Sequence, residues 1–346
     1  MGHQPSLYSK MISLEHLFLC WEQFRRGKRK RKDVQIFERH LEDEIFQLHE
    51  ELKTDAYLHN PYRKFYVFDP KERHISKASI RDRLVHHMIY NVLNAIYEPR
   101  FIFHSFSCRL DKGTHVGIEY LNRMLKKCSR NNTQPVYGLK MDVRRFFDTL
   151  NHSTLKNLLE QRIKDQQVLN LIGLVIDSFK VSTDENGNRG IPLGNVTSQI
   201  FSNIYLHELD HFVKHRLREP FYLRYCDDFM LISEDSIHLK NLISPIALFL
   251  DKKLHLEIHP KKVILRKWRS GIDFLGYISF PHYQLMRTSS KKRMLRRLKE
   301  GYEDFIEEKI DEVSFDQKLQ SYLGMLRHAN QSFLGYDLKN MYGCRK

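Results

Sequence analysis

Hydrophobic positions recur along the chain with two different periods, one typical of helices and one typical of strands. Apolar residues spaced three and four apart predict a helix over residues 33–53, with Asp33 as its cap. A mainly apolar segment predicts a buried strand over 136–143, and two apolar runs that flank adjacent acids predict a hairpin over 221–233. Such interleaving favours an α+β fold over a doubly wound parallel sheet. Further elements are predicted as strands over 60–80 and as helices over 80–98, 153–163 (capped by Ser153), 197–216 and 290–310.

The composition is that of a globular chain and differs from that of membrane and secreted proteins. Hydrophobic residues make up 41% of the 346 positions, and charged residues make up 29%. The apolar run at 169–176 is too short to cross a bilayer, and the N-terminal MGHQPSLYSK lacks the apolar core of a secretory signal. The five cysteines show no C-x-x-C spacing, so neither a disulfide framework nor a cysteine zinc site is expected. We therefore expect a cytoplasmic protein with no membrane partner.

The net charge of +15 indicates a polyanionic partner, and nucleic acid is the first candidate. An anionic membrane surface is the alternative, but the sequence has no amphipathic terminal anchor. Residues 25–32, RRGKRKRK, carry seven basic side chains in eight positions and form either a nucleic-acid-binding arm or a solvated surface segment. A second basic stretch, 291–299, places Met294, Leu295 and Leu298 on one helical face, so its cationic face is a candidate to follow a nucleic-acid backbone.

Three aspartates stand at the ends of predicted strands. Asp227 and Asp228 lie at the tip of the predicted hairpin, and Asp142 lies near the end of the strand at 136–143. Taken singly, each aspartate is also explained as an ordinary residue of a solvent-exposed turn or strand end. Together, however, carboxylates from separate segments are what two-metal phosphoryl transfer requires, and oxygen ligands suit Mg²⁺.

The order of motifs resembles that of reverse transcriptases over about residues 60 to 280. The motifs are Asp142 followed by FFD, LGNVTSQ at 193–199, YCDD at 225–228, HPKKV at 259–263 and FLGY at 274–277. The resemblance implies a right-hand polymerase whose palm is an antiparallel sheet backed by helices, with a short helical thumb. It divides the chain into a basic N-terminal arm and helix at 1–58, fingers at 59–135, a palm at 136–284 with inserted finger helices at about 165–200, and a thumb at 285–346.

One motif narrows the resemblance further. Leu193 stands where most reverse transcriptases have Gln, and Gln199 stands where group II intron and retron enzymes have Pro. With CRLDKGTH at 108–115 and the short thumb, this variant resembles the reverse transcriptases of bacterial and phage diversity-generating retroelements. That family copies a template RNA into cDNA with errors at adenines and acts with a small basic accessory variability determinant protein. Retron-like, group II intron-derived and defence-associated enzymes remain alternatives, although the chain offers little room for a maturase or endonuclease domain after the thumb.

The resemblance also implies roles for individual residues. Two Mg²⁺ ions, or Mn²⁺ in their place, would be held by Asp142, Asp227 and the backbone carbonyl of Val143, with Asp228 as the neighbouring acid. Lys262 matches a lysine proposed as a general acid toward pyrophosphate. The residues implied in binding dNTPs are Lys64, Lys71, Arg73, Phe147, Leu193 and Gly194. Those implied in binding the primer, the template RNA or the cDNA/RNA heteroduplex are Arg109, Gln199, Phe274, Leu275, Gly276, Tyr277, Arg293 and Arg297.

Two readings from other functional classes compete with a polymerase. HELDH at 207–211 matches the H-E-x-x-H pattern of zinc peptidases, but the sequence shows no third ligand. A non-catalytic RNA-binding protein would also explain the charge. The clustered acids favour the polymerase over that reading, because a binding module gains nothing from carboxylates placed near phosphates.

Overall fold

The computed structural model describes residues 6–69, 71–185 and 187–342. Helices and antiparallel strands interleave in this part of the chain, and an antiparallel sheet backed by helices confirms the predicted α+β class. The ends of the predicted first and last domains, residues 1–5 and 343–346, lie outside the described residues. No described helix combines the length and apolar character needed to cross a membrane.

The described chain runs through the following elements. The helices are α1 (Leu7–Met11), α2 (Leu14–Arg25), α3 (Lys32–Glu38), α4 (Leu41–Lys53), α5 (Ile80–Tyr97), α6 (Thr114–Cys128), α7 (Phe146–Thr149), α8 (His152–Glu160), α9 (Gln166–Asp177), α10 (Val196–His211), α11 (Ser236–Asn241), α12 (Ile243–Leu254), α13 (Thr288–Ile306), α14 (Glu312–Arg327) and α15 (Ser332–Tyr342). The strands are β1 (Arg63–Val67), β2 (Arg73–Lys77), β3 (Tyr137–Asp142), β4 (Ser182–Asp184), β5 (Gly187–Arg189), β6 (Tyr222–Tyr225), β7 (Asp228–Ser233), β8 (Ile264–Lys267), β9 (Ile272–Phe274), β10 (Tyr277–Ser279) and β11 (Gln284–Met286).

A four-stranded antiparallel sheet, in the order β6-β7-β3-β8, is covered on both faces. Side chains alternate between the faces of a strand. Met141 and Phe229 lie opposite each other and belong to the largest buried apolar cluster, which the helices complete. Leu223 and Met230 point to the other face and join a smaller cluster with α6, β9 and β10. Burial on both faces fixes the predicted strand and hairpin at the centre of the molecule.

The single helix predicted over residues 33–53 is wrong. α3 ends at Glu38 and α4 begins at Leu41, because His40, with φ −119° and ψ 26°, leaves the helical region. Val34 in α3 and Ile45 in α4 are both buried in the same apolar cluster. The apolar spacing therefore continues across a break that the periodicity could not reveal.

Two predicted helix caps are also wrong. Asn151, rather than Ser153, caps α8, and its side chain accepts a hydrogen bond from the backbone N–H of Thr154. Asp33 lies inside α3, and its carboxylate forms an ion pair with Lys77 at 2.6 Å. Both errors arise where a polar residue near a helix start has more than one available partner.

The last part of the chain forms a second small sheet and three helices. The sheet has the order β11-β10-β9, and α13 to α15 pack around a third apolar cluster. The helix predicted over 290–310 is observed as α13, and Met294 and Leu298 are buried on its inner face as the pattern predicted. This unit adjoins the central sheet through β9 and β10, whose residues belong to the second cluster.

Candidate active site

Three carboxylates gather at one end of the central sheet. Asp142, the last residue of β3, lies directly opposite Asp228, the first residue of β7. Asp227 occupies the two-residue turn between β6 and β7 and follows Cys226, whose φ of +55° is in the left-handed region. The backbone N–H of Val143 donates to the carbonyl of Asp227 at 3.3 Å. The structure thus brings together the three aspartates that the sequence singled out.

Two of these carboxylates each contact a lysine. Lys262 Nζ donates to Asp142 Oδ1 at 2.7 Å, which places the predicted lysine within the site. Lys140 Nζ lies 3.3 Å from Asp228 Oδ2. Lys140 precedes Asp142 by two positions on the same strand, so both side chains project from the same face of the sheet. Asp227, in the turn between β6 and β7, directly precedes Asp228 of the second ion pair.

Burial raises the pKa of both Asp227 and Asp228 above the usual range. The neighbouring charge of Asp228 raises the pKa of Asp227 further. For Asp228, the ammonium of Lys140 acts in the opposite direction, while Asp142 raises its pKa. Partly desolvated carboxylates that repel one another are favourable ligands for a cation, because a cation removes both penalties.

The donor set fits a hard divalent cation. Mg²⁺ is typically held by one or two carboxylates and completes its coordination with substrate phosphates and water. Asp142 and Asp227 supply carboxylates from two adjoining segments, and Val143 follows Asp142 directly. Within residues 6–69, 71–185 and 187–342, no three His, Cys, Asp or Glu side chains are already grouped as a metal site. The arrangement therefore fits an open site that substrate completes, rather than a closed protein cage.

The turn at Leu193 and Gly194 lies against the β1–β2 hairpin. The backbone N–H of Ser76 in β2 donates to the carbonyl of Leu193 at 3.0 Å. Gly194 has φ +108°, and a Cβ there would lie 2.9 Å from Cγ2 of Ile75. This close approach joins the predicted nucleotide-binding motif to the hairpin. That hairpin exposes the three predicted phosphate-binding cations, Lys64, Lys71 and Arg73.

Phe147 follows Asp142 in the chain and is bonded through its backbone to the segment that precedes the Leu193 turn. It belongs to α7, five residues after Asp142, and its ring packs edge-on against Phe146 with centroids 5.4 Å apart. The carbonyl of Phe147 accepts from the backbone N–H of Ile191 at 2.8 Å. Phe147 is half-buried, so part of its surface remains accessible.

The predicted primer-binding segment forms the turn between β9 and β10. Phe274 and Tyr277 are buried, and Leu275 and Gly276 form the turn with φ of +52° and +87°. Lys140 Nζ lies 5.7 Å from the centroid of the Phe274 ring. Lys140 therefore contacts both Asp228 and the strand that leads into this turn. The hydroxyl of Tyr277 donates to the carbonyl of Met325 in α14 at 3.1 Å.

The predicted nucleic-acid contact of Arg109 is not supported by its surroundings. The guanidinium forms an ion pair with Glu98 at 2.8 Å, and it donates to the carbonyls of Ile102 and Ser105. Its side chain is only 6% exposed, so this arginine braces the loop that precedes α6. Gln199, in contrast, is exposed on the second turn of α10.

The two predicted arginines of α13 reach across to the tip of the β1–β2 hairpin. Asp69 Oδ2 lies 2.6 Å from Arg297 Nη2, and Asp69 Oδ1 lies 3.9 Å from Arg293 Nε. Arg296 Nη2 also lies 3.4 Å from Asp69. All three arginines remain partly exposed, so they are accessible to a polyanion that competes with Asp69.

The HELDH segment contributes His207 and Asp210 to the interior, while its second histidine, His211, is exposed. His207 is buried, its ring packs against Phe101 with centroids 5.5 Å apart, and burial lowers its pKa to about 4. Asp210 forms a fully buried ion pair with Arg224. No third protein ligand is grouped with the histidines in the described chain. The zinc-peptidase hypothesis therefore has no structural support.

Sequence reasoning missed three charged residues that lie in or next to the predicted site. Lys140 was discoverable, because strand alternation places it on the same face as Asp142. Arg224 stands within an apolar strand, where a charge signals a buried partner, but its partner Asp210 could not be identified from the sequence. Asp69 gave no local signal, because its arginine partners are more than two hundred residues away.

Comparison with known proteins agrees with this geometry. Residues 68–279 match the family described as "Reverse transcriptase (RNA-dependent DNA polymerase)". The chain is 26% identical over 318 residues to the group II intron-encoded protein LtrA of Lactococcus lactis subsp. cremoris, covering 86% of this chain and 50% of that protein. It is 24% identical over 270 residues to protein YkfC of Escherichia coli K12, covering 68% of this chain and 70% of that protein.

Two further matches are an intron-encoded protein of yeast and a solved telomerase structure. The putative COX1/OXI3 intron 2 protein of Saccharomyces cerevisiae is 23% identical over 317 residues, which cover 74% of this chain and 35% of that protein. The structure of telomerase from Candida albicans in complex with a fragment of telomeric RNA matches with a TM-score of 0.49 and 14% identity, covering 83% of this chain and 60% of that one. The chain thus spans half or less of LtrA and of the yeast protein.

Proposed function

Because the chain belongs to the reverse transcriptase (RNA-dependent DNA polymerase) family, we propose that it copies an RNA template into DNA at the carboxylate edge of the central sheet. The observation that carries this proposal is the register of β3 and β7. It sets Asp142 directly opposite Asp228, with Asp227 in the adjoining turn. All three residues lie inside the segment that matches the family.

In this proposal Asp142, Asp227 and the carbonyl of Val143 hold two divalent cations, Mg²⁺ or Mn²⁺. When bound, these ions activate the primer 3′-hydroxyl and neutralise the triphosphate. Lys262 sits against Asp142 and is positioned to give a proton to the leaving pyrophosphate. Asp228 remains with Lys140, which is 3.3 Å away, and contributes negative charge next to the metal ligands.

The remaining site residues surround the incoming nucleotide and the nucleic acid. Lys64, Lys71 and Arg73 project from an exposed hairpin and grip the triphosphate. Phe147 lies under the sugar and rejects a ribose 2′-hydroxyl by steric conflict. The Leu275–Gly276 turn contacts the primer backbone, where a glycine at φ +87° permits close approach. Gln199, Arg293 and Arg297 contact the template or the heteroduplex.

We propose the domain division that the resemblance implies. A basic arm and helix at 1–58 precede the fingers at 59–135, the palm at 136–284 carries inserted finger helices at about 165–200, and the thumb follows at 285–346. The contact between Asp69 and α13 then joins the fingers to the thumb across the nucleic-acid cleft. The positive charge of α13 lies where a heteroduplex backbone would pass.

We further propose that the enzyme is of the diversity-generating retroelement type. Leu193 and Gln199 within LGNVTSQ support this proposal. The enzyme would make errors at template adenines and act with a small basic accessory variability determinant protein, in the cytoplasm of a bacterial host. The alternative is a reverse transcriptase of the group II intron-encoded type, which the match to LtrA favours.

Primer extension tests the central proposal. The purified chain should extend a DNA primer on an RNA template with dNTPs and Mg²⁺, and EDTA should stop the reaction. Asp227→Asn should lose this activity, whereas the matched control Asp148→Asn should keep it. Asp148 is a partly exposed carboxylate whose partner is Arg145 at 3.1 Å, away from the metal ligands. Equal activity of the two variants would contradict the proposed site.

A sequencing experiment separates the two subtypes. One defined RNA is copied, and the cDNA errors are counted by template base, with and without the candidate accessory protein. An excess of errors at adenines supports the retroelement type. A uniform error spectrum under both conditions favours the group II intron-encoded type.

A further inference from the structure

A fully buried ion pair lies directly beneath the turn that carries Asp227. Arg224 Nε donates to Asp210 Oδ1 and Arg224 Nη2 donates to Asp210 Oδ2, both at 2.7 Å. Both side chains have zero exposure. Asp210 belongs to α10, so the pair joins the helix behind the sheet to strand β6. It also accounts for the aspartate of the HELDH segment, which the proposed function does not use.

The guanidinium of Arg224 has a partner for each of its five N–H groups. Besides Asp210, Nη1 donates to the carbonyl of Cys226 at 3.0 Å and lies 3.4 Å from Asn203 Oδ1. Nη2 donates to Ser105 Oγ at 3.0 Å. The Arg224 side chain therefore forms hydrogen bonds with three parts of the fold, namely α10, the segment before α6 and the turn of the β6–β7 hairpin.

The bond to Cys226 is the contact that bears on chemistry. Cys226 adopts φ +55°, a conformation that a residue with a side chain holds only when its surroundings impose it. The next residue is Asp227, so rotation of the Cys226–Asp227 peptide would displace the Asp227 carboxylate. Arg224 holds the carbonyl of that peptide from below.

Stability alone does not explain this pair. Burying two charges costs about as much as their attraction returns, and well-packed apolar replacements are often equally stable. Lysine also carries a positive charge, but its single ammonium lacks the planar fork that reaches a carboxylate and a carbonyl together. The geometry requires an arginine at this position and a carboxylate to hold it.

We propose that Arg224, held by Asp210, is a positioning residue that fixes the Cys226 carbonyl and thereby the Asp227 carboxylate for metal binding. The proposal rests on the proposed polymerase function for its catalytic consequence. It predicts that the pair acts on the rate of the chemical step and on metal affinity. It predicts no effect on nucleotide binding, because no hydrogen-bond partner of Arg224 belongs to the β1–β2 hairpin or the Leu193 turn.

The test replaces the buried ion pair, together with the tyrosine hydroxyl bound to it, by apolar side chains of similar size. Tyr222 is included because its hydroxyl donates to Asp210 Oδ1 at 2.8 Å and would otherwise lose its partner. The triple variant is Asp210→Leu with Tyr222→Phe and Arg224→Met. Thermal unfolding, single-nucleotide kcat and KM, and Mn²⁺ binding followed by electron paramagnetic resonance are measured. Tyr222→Phe alone is the matched control, because it keeps Arg224 and Asp210.

The triple variant should unfold near the parent temperature, with the KM for dNTP within about threefold. Its kcat should fall by about 100-fold, the loss expected from a misplacement of about 1 Å, and Mn²⁺ binding should weaken. The control should match the parent. A purely structural pair would instead give a folded triple variant with parental kcat and Mn²⁺ affinity, which would overturn the proposal.

Two further measurements keep the outcomes distinct. If the triple variant fails to fold, Arg224→Lys is used, which keeps the charge and loses the fork. A parental kcat in that variant would also overturn the proposal. If the parent itself extends no primer, the polymerase proposal fails, but the Mn²⁺ affinities of parent and variant still test positioning. Equal affinities would then reject it.

Discussion

Replacing Gly194 by alanine should weaken dNTP binding by a calculable amount. The backbone at φ +108° is strained for any residue with a side chain, which costs about 1–3 kcal/mol. The new Cβ would also stand 2.9 Å from Cγ2 of Ile75, a contact that overpacks the interface. Overpacking adds about 1–3 kcal/mol unless the neighbour moves. Because the β1–β2 hairpin is exposed, we expect it to shift away from the added methyl group. Part of the free-energy penalty then takes the form of weaker dNTP binding, since the hairpin carries the proposed phosphate-binding cations.

The assay is single-nucleotide incorporation on a primed RNA template, with KM for dNTP as the principal readout. A loss of about 1.4 kcal/mol corresponds to a tenfold rise in KM. Gly113→Ala is the matched control, since Gly113 has φ +112° and no atom lies within 4 Å of an added Cβ. It should lower the unfolding temperature with an unchanged KM. Adding Ile75→Ala to Gly194→Ala removes the colliding methyl group and should recover part of the KM.

The reasoning would be refuted if Gly194→Ala and Gly113→Ala had the same KM and the same unfolding temperature. That result would mean that the hairpin does not depend on its contact with the Leu193 turn. It would also remove the structural link between Gly194 and the cations at Lys64, Lys71 and Arg73.

Three further predictions concern the site and the basic arm. Asp227→Asn should lower the rate of primer extension by at least about 100-fold, because catalysis is largely electrostatic, while its RNA affinity in filter binding stays within about twofold of the parent. Near-normal extension would contradict the metal assignment. Neutralising the exposed Arg29, Lys30 and Lys32 should make the plot of log RNA affinity against log salt concentration less steep by about 2, measured with single-stranded RNA. An unchanged slope would mean that the arm does not touch RNA. Leu193→Gln leaves the backbone hydrogen bond to Ser76 in place and should reduce misincorporation at template adenines several-fold if the added amide gains one hydrogen bond. The measurement is cDNA sequencing, and identical error spectra would make Leu193 a packing residue.

Local hydrophobic patterns were sufficient to predict an element where a single segment of the sequence determines its own structure. The YCDD hairpin was predictable because two apolar runs flank a tight turn, and β3 because Leu139 and Met141 stand in a mainly apolar segment. The helix break at His40 was not predictable. Apolar residues on both sides of it pack into one core, so their spacing continues as if the helix were unbroken.

The candidate site was predictable as a set of aspartates but not as a set of contacts. The pairing of Lys140 with Asp228 follows from strand register, which a sequence does not state. For Arg109, the resemblance implied a contact with nucleic acid, but no local pattern revealed that Glu98 and two carbonyls surround its guanidinium. Partners that are distant in sequence decide whether a charged side chain faces solvent.

The register of β3 against β7 has a consequence for how far related sequences can diverge. Paired strands lie about 4.7–4.9 Å apart whatever their side chains are. The separation of the Asp142 and Asp228 backbones is therefore a property of main-chain hydrogen bonding, and neighbouring residues need only preserve volume and polarity to maintain it. The spacing of this carboxylate edge can therefore tolerate many substitutions in the surrounding strands, provided that the pairing of β3 with β7 is kept.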